Sequence, residues 1–585
     1  MRARDLIYTM KKIYIILLGI ILIVAGGYIY IRFSFLKAKD FKPNTAAAKS
    51  PIDLRPSIIA KLQQLVKDGS GGLYKLNIEK VEPHVLTSTF DVTNATLMPD
   101  PEMEKKLDSA HKLPDDIFKI SFSSLHITGI VISDFLSKDS FKLNEITITN
   151  PIIDVHHTKR LYNRKPPSRM DATLYQQISK TLKSIAINKI EIQHGKLIIH
   201  DKGEKDHVNT INDIFITLRS VLVDSSTQYD RKRFLFAKKA LLSTKNFTKR
   251  TADSLYVFTC GSIEISTPRN DITATNVEMH PRFNTQQFEK RLSTRKEMFD
   301  LVIPKMTLSS IRWWDLANNE SIIAKTAELN NCTFNTFLDR SLPFRKVKPN
   351  SFPHQVVMRL PIPIWISKIY LRNSNLTYSE FNPGLDTRGT VYLDNINGEG
   401  TNLTNLPEQI RGHQFFTIKA NCLLMHKIPM TTAFQFDLSK YKTGDFKVDL
   451  EVKDMDTTEL NPITGPLGEF IIKKGSVQKG VAHVTGNNLK ASGTGELLYK
   501  DLYLVGLKKD KSHPGTIKHK SVTSFLGNVL LIKNENPSNN KPARVVTFGL
   551  DRDNKSTFIS FVWKTILLGI LKTIGLPASF ANKPY

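Results

Sequence analysis

From Tyr74 onward the chain alternates apolar and polar residues with a period of two. Tyr74, Leu76 and Ile78 alternate with lysine, asparagine and glutamate. This is the pattern of a β-strand that buries one face and exposes the other. Because the same alternation dominates nearly everything that follows, the sequence predicts a mainly β protein.

Helical periodicity interrupts the strands at few places. Residues 55–68 place their apolar side chains on one face of a 3.6-residue period, and Gly69 indicates the end of that helix. Similar patterns predict helices over 172–185 and over about 286–292. We therefore expect a few short helices within a chain of strands.

The strands follow a loose internal repeat, in which an apolar-x-apolar step, a short polar turn and a second such step succeed one another. Its copies lie at 124–133, 145–155, 189–200, 262–275, 305–314 and 368–378. The predicted turns contain Gly129, Asn150-Pro151, Gly195, Pro268 and Asn373. Because the spacing is irregular, this is not a short-period solenoid.

Strands with one apolar face must bury that face against something. Two sheets can pack as a sandwich, one sheet can close into a barrel, or one long sheet can curl into a trough with an apolar groove. Periodicity alone favours consecutive β-sandwich domains. In a trough, acyl chains would fill the groove, and its candidate lining residues are Ile190, Ile192, Leu197, Ile199, Ile369, Leu371, Leu376 and Tyr378.

Residues 13–31 form the longest apolar run, with 19 residues and no charge. As a helix it is about 28 Å long, which matches a hydrocarbon core of about 30 Å. The small residues at 46–48 lie too far beyond it for signal-peptide cleavage, so we predict an uncleaved signal anchor. Positions along this anchor are Ile13, Leu17, Ile21, Val24, Tyr28 and Ile31. A short tail normally stays in the cytoplasm, which places the bulk of the chain outside.

The net charge of the chain is +27, from 82 Lys+Arg and 55 Asp+Glu. The partner that this charge indicates depends on which side of the membrane the chain faces. A chain that faces outward does not meet nucleic acid, whereas anionic lipid headgroups fit the charge. Simple solubility is the alternative explanation. The 3 cysteines in 585 residues exclude a disulfide framework and a metal knuckle.

Chemical motifs give little indication of an enzyme. No GxSxG, HExxH, P-loop or dinucleotide fingerprint occurs. Asp154 precedes His156 and His157, but adjacent strand residues point to opposite faces, and His200 is predicted to lie in a turn. We therefore expect no catalytic residue, no metal site and no cofactor. Paired carboxylates of a glycan hydrolase are the remaining enzymatic alternative.

The C-terminal segment 556–585 predicts an amphipathic helix. Its candidate membrane contacts are Phe558, Phe561, Trp563, Lys564 and Lys572. The alternative is a helix that covers an open end of the β body. A basic loop precedes it and contains Lys508, Lys509, Lys511, Lys518 and Lys520.

Several motifs resemble the AsmA-like proteins of double-membrane bacteria. The clearest is 190–199, IEIQHGKLII, which resembles the family's strand, turn and Gly-Lys-Leu strand. Residues 144–154 resemble its strand, Asn-Pro, strand element. Leu460-Asn461-Pro462 with Gly465-Pro466, Gly475-Ser476-Val477 and the segment 491–502 resemble its C-terminal signatures. The resemblance is spread over most of the chain, and it rests on the order in which these motifs occur rather than on any single motif.

This resemblance implies an elongated, curled β-sheet, trough-like, on a single inner-membrane anchor, with the bulk of the chain in the periplasm. The family is associated with outer-membrane assembly and with phospholipid movement, and its larger members resemble bridge-like lipid transfer proteins. We therefore expect a non-enzymatic envelope protein that binds or conveys phospholipid and supports outer-membrane assembly or homeostasis. The alternative is an anchored periplasmic scaffold or chaperone for outer-membrane proteins. Further envelope proteins are candidate partners.

The expected organisation follows from these segments. It comprises a cytoplasmic tail (1–12), the transmembrane anchor (13–31), a linker (32–54), the AsmA-like β-repeat body (55–455), a C-terminal AsmA-like β region with the basic loop (456–555), and the C-terminal helix and tail (556–585).

Overall fold

The computed structural model describes most of the chain beyond the linker. The described residues are 55–84, 87–129, 140–163, 175, 183–202, 206–251, 253–319, 321–344, 351–509, 517–519, 533–538, 541–553 and 556–577. The predicted tail, anchor and linker lie outside them. Among the residues that are described, none of the helices has the length and apolar character needed to span a bilayer.

The prediction of a mainly β protein is confirmed, because strands make up 58% of the described residues. The strands are β1 (Tyr74–His84), β2 (Thr89–Pro99), β3 (Asp116–Thr128), β4 (Ser140–Thr149), β5 (Ile152–His157), β6 (Ser184–Lys202), β7 (Asp206–Val223), β8 (Lys239–Arg250), β9 (Tyr256–Ser266), β10 (Asp271–Pro281), β11 (Met298–Ser309), β12 (Ile322–Asn330), β13 (Thr333–Asp339), β14 (Ile364–Asn382), β15 (Thr387–Thr404), β16 (Phe415–Leu424), β17 (Ile428–Asp437), β18 (Phe446–Asp456), β19 (Phe470–Gly486), β20 (Lys490–Lys509), β21 (Ile517–His519) and β22 (Val545–Asp551).

The helices are short, as the sequence predicts. They are α1 (Arg55–Gly69), α2 (Pro101–Ser109), α3 (Thr285–Glu289), α4 (Trp313–Asn318), α5 (Pro353–Met358), α6 (Pro407–Gly412), α7 (Asn461–Gly468) and α8 (Phe558–Ile574), with 3₁₀ turns at Leu161–Asn163 and Thr457–Leu460. The predicted helices near 55–68 and 286–292 correspond to α1 and α3. The helix predicted over 172–185 is wrong at its end, because Ser184 and Ile185 begin β6; most of its remainder lies outside the described residues.

The chain divides into two compact units. Unit 1 contains the described residues up to 249 together with 260–274 and 311–321, and unit 2 contains the others. Within each unit the described strands pair edge to edge along a sheet. The alternative of consecutive sandwich domains, which needs facing pairs of sheets, is therefore not confirmed.

In unit 1, a split strand lies between two long ones. β1, β2 and β3 pair antiparallel in sequence. One half of β3 pairs antiparallel with β4 and the other half with β5. β4 and β5 both pair parallel with β6, which then pairs antiparallel with β7, and β7 with β8. The predicted break at Asn150-Pro151 is the joint between β4 and β5.

Unit 2 repeats this arrangement and then extends it. β11 pairs antiparallel with β12 and β13, and both of these pair parallel with β14. β14 to β20 then form an antiparallel meander, which β22 continues beside β20. The same split strand between two long strands therefore occurs twice in the chain.

Two backbone details show that residues 73–223 (repeat 1) and 255–404 (repeat 2) are copies of one structure. The Phe118 amide donates to the Tyr74 hydroxyl at 3.2 Å, and the Phe299 amide donates to the Tyr256 hydroxyl at 3.3 Å. Residues with positive φ of 46–62° also recur in register, at Ser88/Asn270, Asn94/Asn276, Asn150/Asn331, His194/Asn373, Asp213/Asn395 and Ser220/Asn402. The offset between copies is 179 to 182 residues (373 − 194 and 276 − 94).

The turns predicted at Gly195 and Asn373 are instead β-bulges within continuous strands. β6 and β14 each run for 19 residues, with register shifts at 192–197 and 371–376. His194 and Asn373 adopt the left-handed conformation there, which bends a strand without ending it. Each long strand therefore spans both halves of its split neighbour.

The core of unit 1 lies on the apolar face of its sheet. Phe90, Leu125, Ile146, Ile185 and Val223 are fully buried. One face of a sheet is buried only against another part of that sheet or against a covering helix, so this sheet curls around its own side chains. At its first strand α1 covers the core, with Leu62 fully buried and the Gln63 amide donating to the Leu76 carbonyl at 3.0 Å.

The main core of unit 2 lies between α8 and the sheet. Phe558, Phe561, Val562 and Ile566 of α8 pack with Phe436, Phe446, Val448 and Val484 of β17 to β19 and with Phe352 beside α5. A Cβ on Gly569 would lie 2.4 Å from the Phe548 ring, so glycine permits the close approach of α8 to β22. The three cysteines, Cys260, Cys332 and Cys422, are all described and form no disulfide bond with one another.

Candidate functional site

The eight candidate groove residues fall on equivalent positions of the two repeats. Ile190, Ile192, Leu197 and Ile199 of β6 correspond to Ile369, Leu371, Leu376 and Tyr378 of β14. Ile190 and Ile192 lie opposite Ile146 and Ile148 on β4, and Ile369 and Leu371 lie opposite Ala327 and Leu329 on β12. The structure therefore offers the same apolar face twice, once in each unit.

In repeat 1 this face is a closed core. Ile190, Ile192 and Leu197 expose only 4%, 5% and 2% of their surface, and Ile199 is half-buried. Ile190 packs beside Ile146 on one side and lies opposite Leu218 of β7 on the other, and both neighbours are buried. The protein's own side chains therefore cover this face in repeat 1 and leave little apolar surface for a ligand.

In repeat 2 the equivalent face remains half-exposed. Ile369, Leu371, Leu376 and Tyr378 are all half-buried, as are Met306, Leu308 and Leu329 on the neighbouring strands β11 and β12. Partly exposed apolar side chains therefore continue across three adjacent strands around Ala327, which is itself buried. A contiguous exposed apolar surface is unfavourable in water and marks a place where another apolar group binds.

The difference has a cause in the sequence of one strand. In repeat 1, Ile216 and Leu218 of β7 lie opposite Ile192 and Ile190. At the equivalent places in repeat 2, Gly398 and Gly400 of β15 lie opposite Leu371 and Ile369. Two branched aliphatic side chains are thus replaced by hydrogen, and the face of β14 loses the neighbours that would cover it.

The half-exposed face borders a sealed core on one side. Gly400 lies opposite Ile418 of β16, and Ile418 lies opposite Phe434 of β17. Ile418 and Phe434 are partly buried and pack against the cluster under α8. An apolar surface therefore runs from β11 through β16 to the helix.

Tyr378 lies at a polar end of this face. Its hydroxyl donates to the Glu380 carboxylate, whose other oxygen lies 3.4 Å from Nη1 of Arg340. Burial, together with the Glu380 charge, raises the pKa of Tyr378 above its ordinary value, so the phenol stays protonated as a donor. The apolar surface therefore ends beside a charged, hydrogen-bonded group.

The candidate membrane contacts on α8 divide between its two sides. Phe558 and Phe561 are 5% and 0% exposed and pack on the sheet, so in this arrangement protein contacts occupy both rings. Trp563 is 48% exposed, on the outer side together with Ile559. Lys564 lies 3.6 Å from Asp553, and Lys572 donates to the Thr547 carbonyl at 2.9 Å. The helix covers the sheet with one face and presents a smaller apolar edge outward.

The predicted basic loop is described only in part. Lys508 and Lys509 end β20, Lys518 lies on β21, and Lys511 and Lys520 lie outside the described residues. The anchor positions from Ile13 to Ile31 also lie outside them.

Sequence reasoning found the apolar positions but missed the glycine pair that opens one face. The available signal was the run Gly398-Glu399-Gly400, which breaks the apolar alternation where repeat 1 has Ile216 and Leu218. Recognising it requires the offset of about 181 residues, which Leu73-Tyr74 and Leu255-Tyr256 also mark. Comparison with models of known protein families and with curated protein sequences gives no match.

Proposed function

We propose that this chain is a membrane-anchored envelope protein of the AsmA-like type that binds phospholipid acyl chains on the half-exposed face of repeat 2. The observation that carries this proposal is the replacement of Ile216 and Leu218 by Gly398 and Gly400, which leaves Ile369 and Leu371 half-exposed. An acyl chain supplies the apolar contacts that the two missing side chains would have made.

The net charge of the chain and its predicted location beside the membrane both support phospholipid as the bound ligand. The net charge of +27 complements anionic headgroups. The predicted anchor over 13–31 places the body beside the inner membrane, on its periplasmic side. Continuity of the apolar surface from β11 to the helix α8 gives a path along which a chain slides, as in an elongated trough. The proposed role is non-enzymatic: conveying phospholipid in support of outer-membrane assembly.

The test fills the space that the glycine leaves. Gly400→Leu restores the side chain found in repeat 1, and a Cβ there lies 3.4 Å from the Ile369 Cβ, an ordinary contact distance. Gly412→Leu is the matched control, because a Cβ at Gly412 has nothing within 4 Å. Each full-length protein is placed in phosphatidylethanolamine–phosphatidylglycerol vesicles that contain a phospholipid with a photoreactive acyl chain.

After illumination, crosslinked peptides are identified by mass spectrometry. We expect crosslinks on β11, β12 and β14 in the wild type and in Gly412→Leu, and at least a fivefold loss in Gly400→Leu. Crosslinks confined to residues 13–31, or equal in both variants, would refute lipid binding at this face. In that case the alternative of a periplasmic scaffold predicts that envelope polypeptides, rather than phospholipids, bind to this protein.

A further inference from the structure

A group of three potential metal ligands lies on the sheet of unit 1, away from the apolar face. Asp154 and His156 lie two residues apart on β5, so they project from the same side of that strand. His200 of β6 lies opposite His156 in the parallel pairing. His157 directly follows His156 on β5 and therefore projects to the other side of the sheet, where its Nδ1 hydrogen-bonds with Oδ1 of Asp116 at 2.6 Å. Strand alternation therefore selects one of the two adjacent histidines for the group.

The three donor atoms are close to one another. Oδ1 of Asp154 lies 2.9 Å from Nε2 of His200 and 3.4 Å from Nε2 of His156, and the three ligand atoms all fall within 4.8 Å of one another. Ligand atoms around a tetrahedral zinc ion, with bonds of 2.0–2.1 Å, are separated by about 3.3 Å. The two distances from Asp154 lie on either side of that value, and the two histidine nitrogens lie within 4.8 Å of each other.

The hydrogen bonding of the group is incomplete. Oδ1 of Asp154 is shielded from solvent and receives no well-directed hydrogen bond from the described residues, even though both Nε2 atoms are near. The two imidazoles stack face to face, with centroids 4.4 Å apart and planes 5° apart. Both Nε2 atoms lie within 3.4 Å of this buried oxygen, and because parallel ring planes direct their lone pairs along parallel lines, binding a shared ion requires one imidazole to rotate. Such an oxygen normally has a partner, and a cation shared with both nitrogens would supply it.

Repeat 2 shows that the fold does not require these side chains. The positions equivalent to Asp154, His156 and His200 are Asn335, Phe337 and Ser379 on the same paired strands β13 and β14. Those residues form the same parallel pairing without a metal-ligating set. The three ligands are thus a property of repeat 1 alone.

We propose that Asp154, His156 and His200 bind one Zn²⁺ ion that links β5 to β6. Two imidazoles and one carboxylate form a donor set suited to zinc, and water completes the fourth position because the group is partly exposed. The ion joins two parallel strands that are separated in sequence by residues 158–183, and its binding stabilises unit 1.

The experiment uses the full-length protein without a histidine tag, purified in detergent and stripped of metal by a chelator. Zn²⁺ binding is measured by competition with a chromophoric chelator, and thermal unfolding is followed with and without Zn²⁺. The test variants are His156→Gln and His200→Gln. The control is His483→Gln, which removes a histidine that pairs with Asp449 at 2.5 Å but is not one of the three clustered ligands.

We expect one Zn²⁺ per wild-type chain and a melting temperature raised by several degrees. Both test variants should lose at least tenfold in affinity and lose the zinc-dependent shift, while keeping the metal-free melting temperature and circular dichroism spectrum of the wild type. His483→Gln should bind as the wild type does. Absence of stoichiometric binding in the wild type, or equal binding in His200→Gln, would overturn the proposal. A variant that misfolds is replaced by Asp154→Asn, which keeps the shape of the side chain.

Discussion

Ile192 and Leu371 occupy equivalent positions in the two repeats, and the same substitution at both distinguishes a closed core from a half-exposed face. Ile192 is 5% exposed and lies opposite Ile148 of β4, whereas Leu371 is half-buried and lies opposite Gly398 of β15. Aspartate is the informative replacement, because its side chain is too short to reach water from a buried position.

The expected magnitudes differ by several-fold. Replacing Ile192 loses the burial of its side chain, about 1.5–3 kcal/mol, and leaves a carboxylate desolvated, which costs several kcal/mol more. Together these approach the 5–15 kcal/mol that typically stabilises a domain. At Leu371 only part of the side chain is buried and the carboxylate reaches solvent, so we expect a loss of about 1–2 kcal/mol.

The assay is limited proteolysis of the full-length protein in detergent, with the cleaved segments identified by mass spectrometry. Ile192→Asp should open strands β3 to β7 to cleavage, and Leu371→Asp should leave the cleavage pattern unchanged while reducing acyl-chain crosslinking. Ile192→Val serves as a control, with an expected cost of about 0.5–1.5 kcal/mol. Equal resistance of both aspartate variants would refute the distinction between a closed and a half-exposed face, as would equal unfolding.

Three further predictions concern unit 2. Gly569→Val should displace α8, because a Cβ at this position would lie 2.4 Å from the Phe548 ring; faster hydrogen exchange of the amides of α8 would show it, and unchanged exchange would contradict it. His354 is fully buried, neither of its ring nitrogens has a hydrogen-bond partner among the described residues, and burial lowers its pKa to about 4. Since the unfolded chain binds this proton more readily, the free energy of unfolding should fall by about 3 kcal/mol between pH 6.5 and pH 4. His354→Phe should flatten that part of the curve, and an unchanged pH dependence would show that other groups cause it. Burial, with the neighbouring Asp339 carboxylate, raises the pKa of Glu289 to about 7, so the stability that its protonated form maintains is lost as the pH rises from about 4.5 through 7. Glu289→Gln should therefore raise the urea midpoint at pH 8 relative to the wild type but not at pH 5, and an equal change at both values would rule out titration of this group.

Some of the structure followed directly from the local pattern. The period of two predicted strands, and the periods near 55–68 and 286–292 predicted helices that the structure contains. The eight candidate groove positions also fall on one kind of face in both repeats. These features were predictable because they depend on which side of a strand or helix each residue projects from.

Other features carry an ambiguous local signal. Glycine and asparagine occur both in turns and at β-bulges, so Gly195 and Asn373 predicted turns where β6 and β14 continue. His200 was expected in a turn because Asp201, Lys202 and Gly203 follow it, and its position beside His156 depends on a parallel pairing between residues 44 apart in sequence.

Local periodicity was enough to predict the strands, their apolar faces and the helices α1 and α3, because it reflects the side of each element from which a side chain projects. It does not predict which residues each face contacts, since those contacts form only when distant strands pair. Ile192 and Leu371 have the same local pattern, but one lies opposite Ile216 in a sealed core and the other lies opposite Gly398 on a half-exposed surface. Burial depends on the neighbouring strands, and those neighbours come from distant parts of the chain.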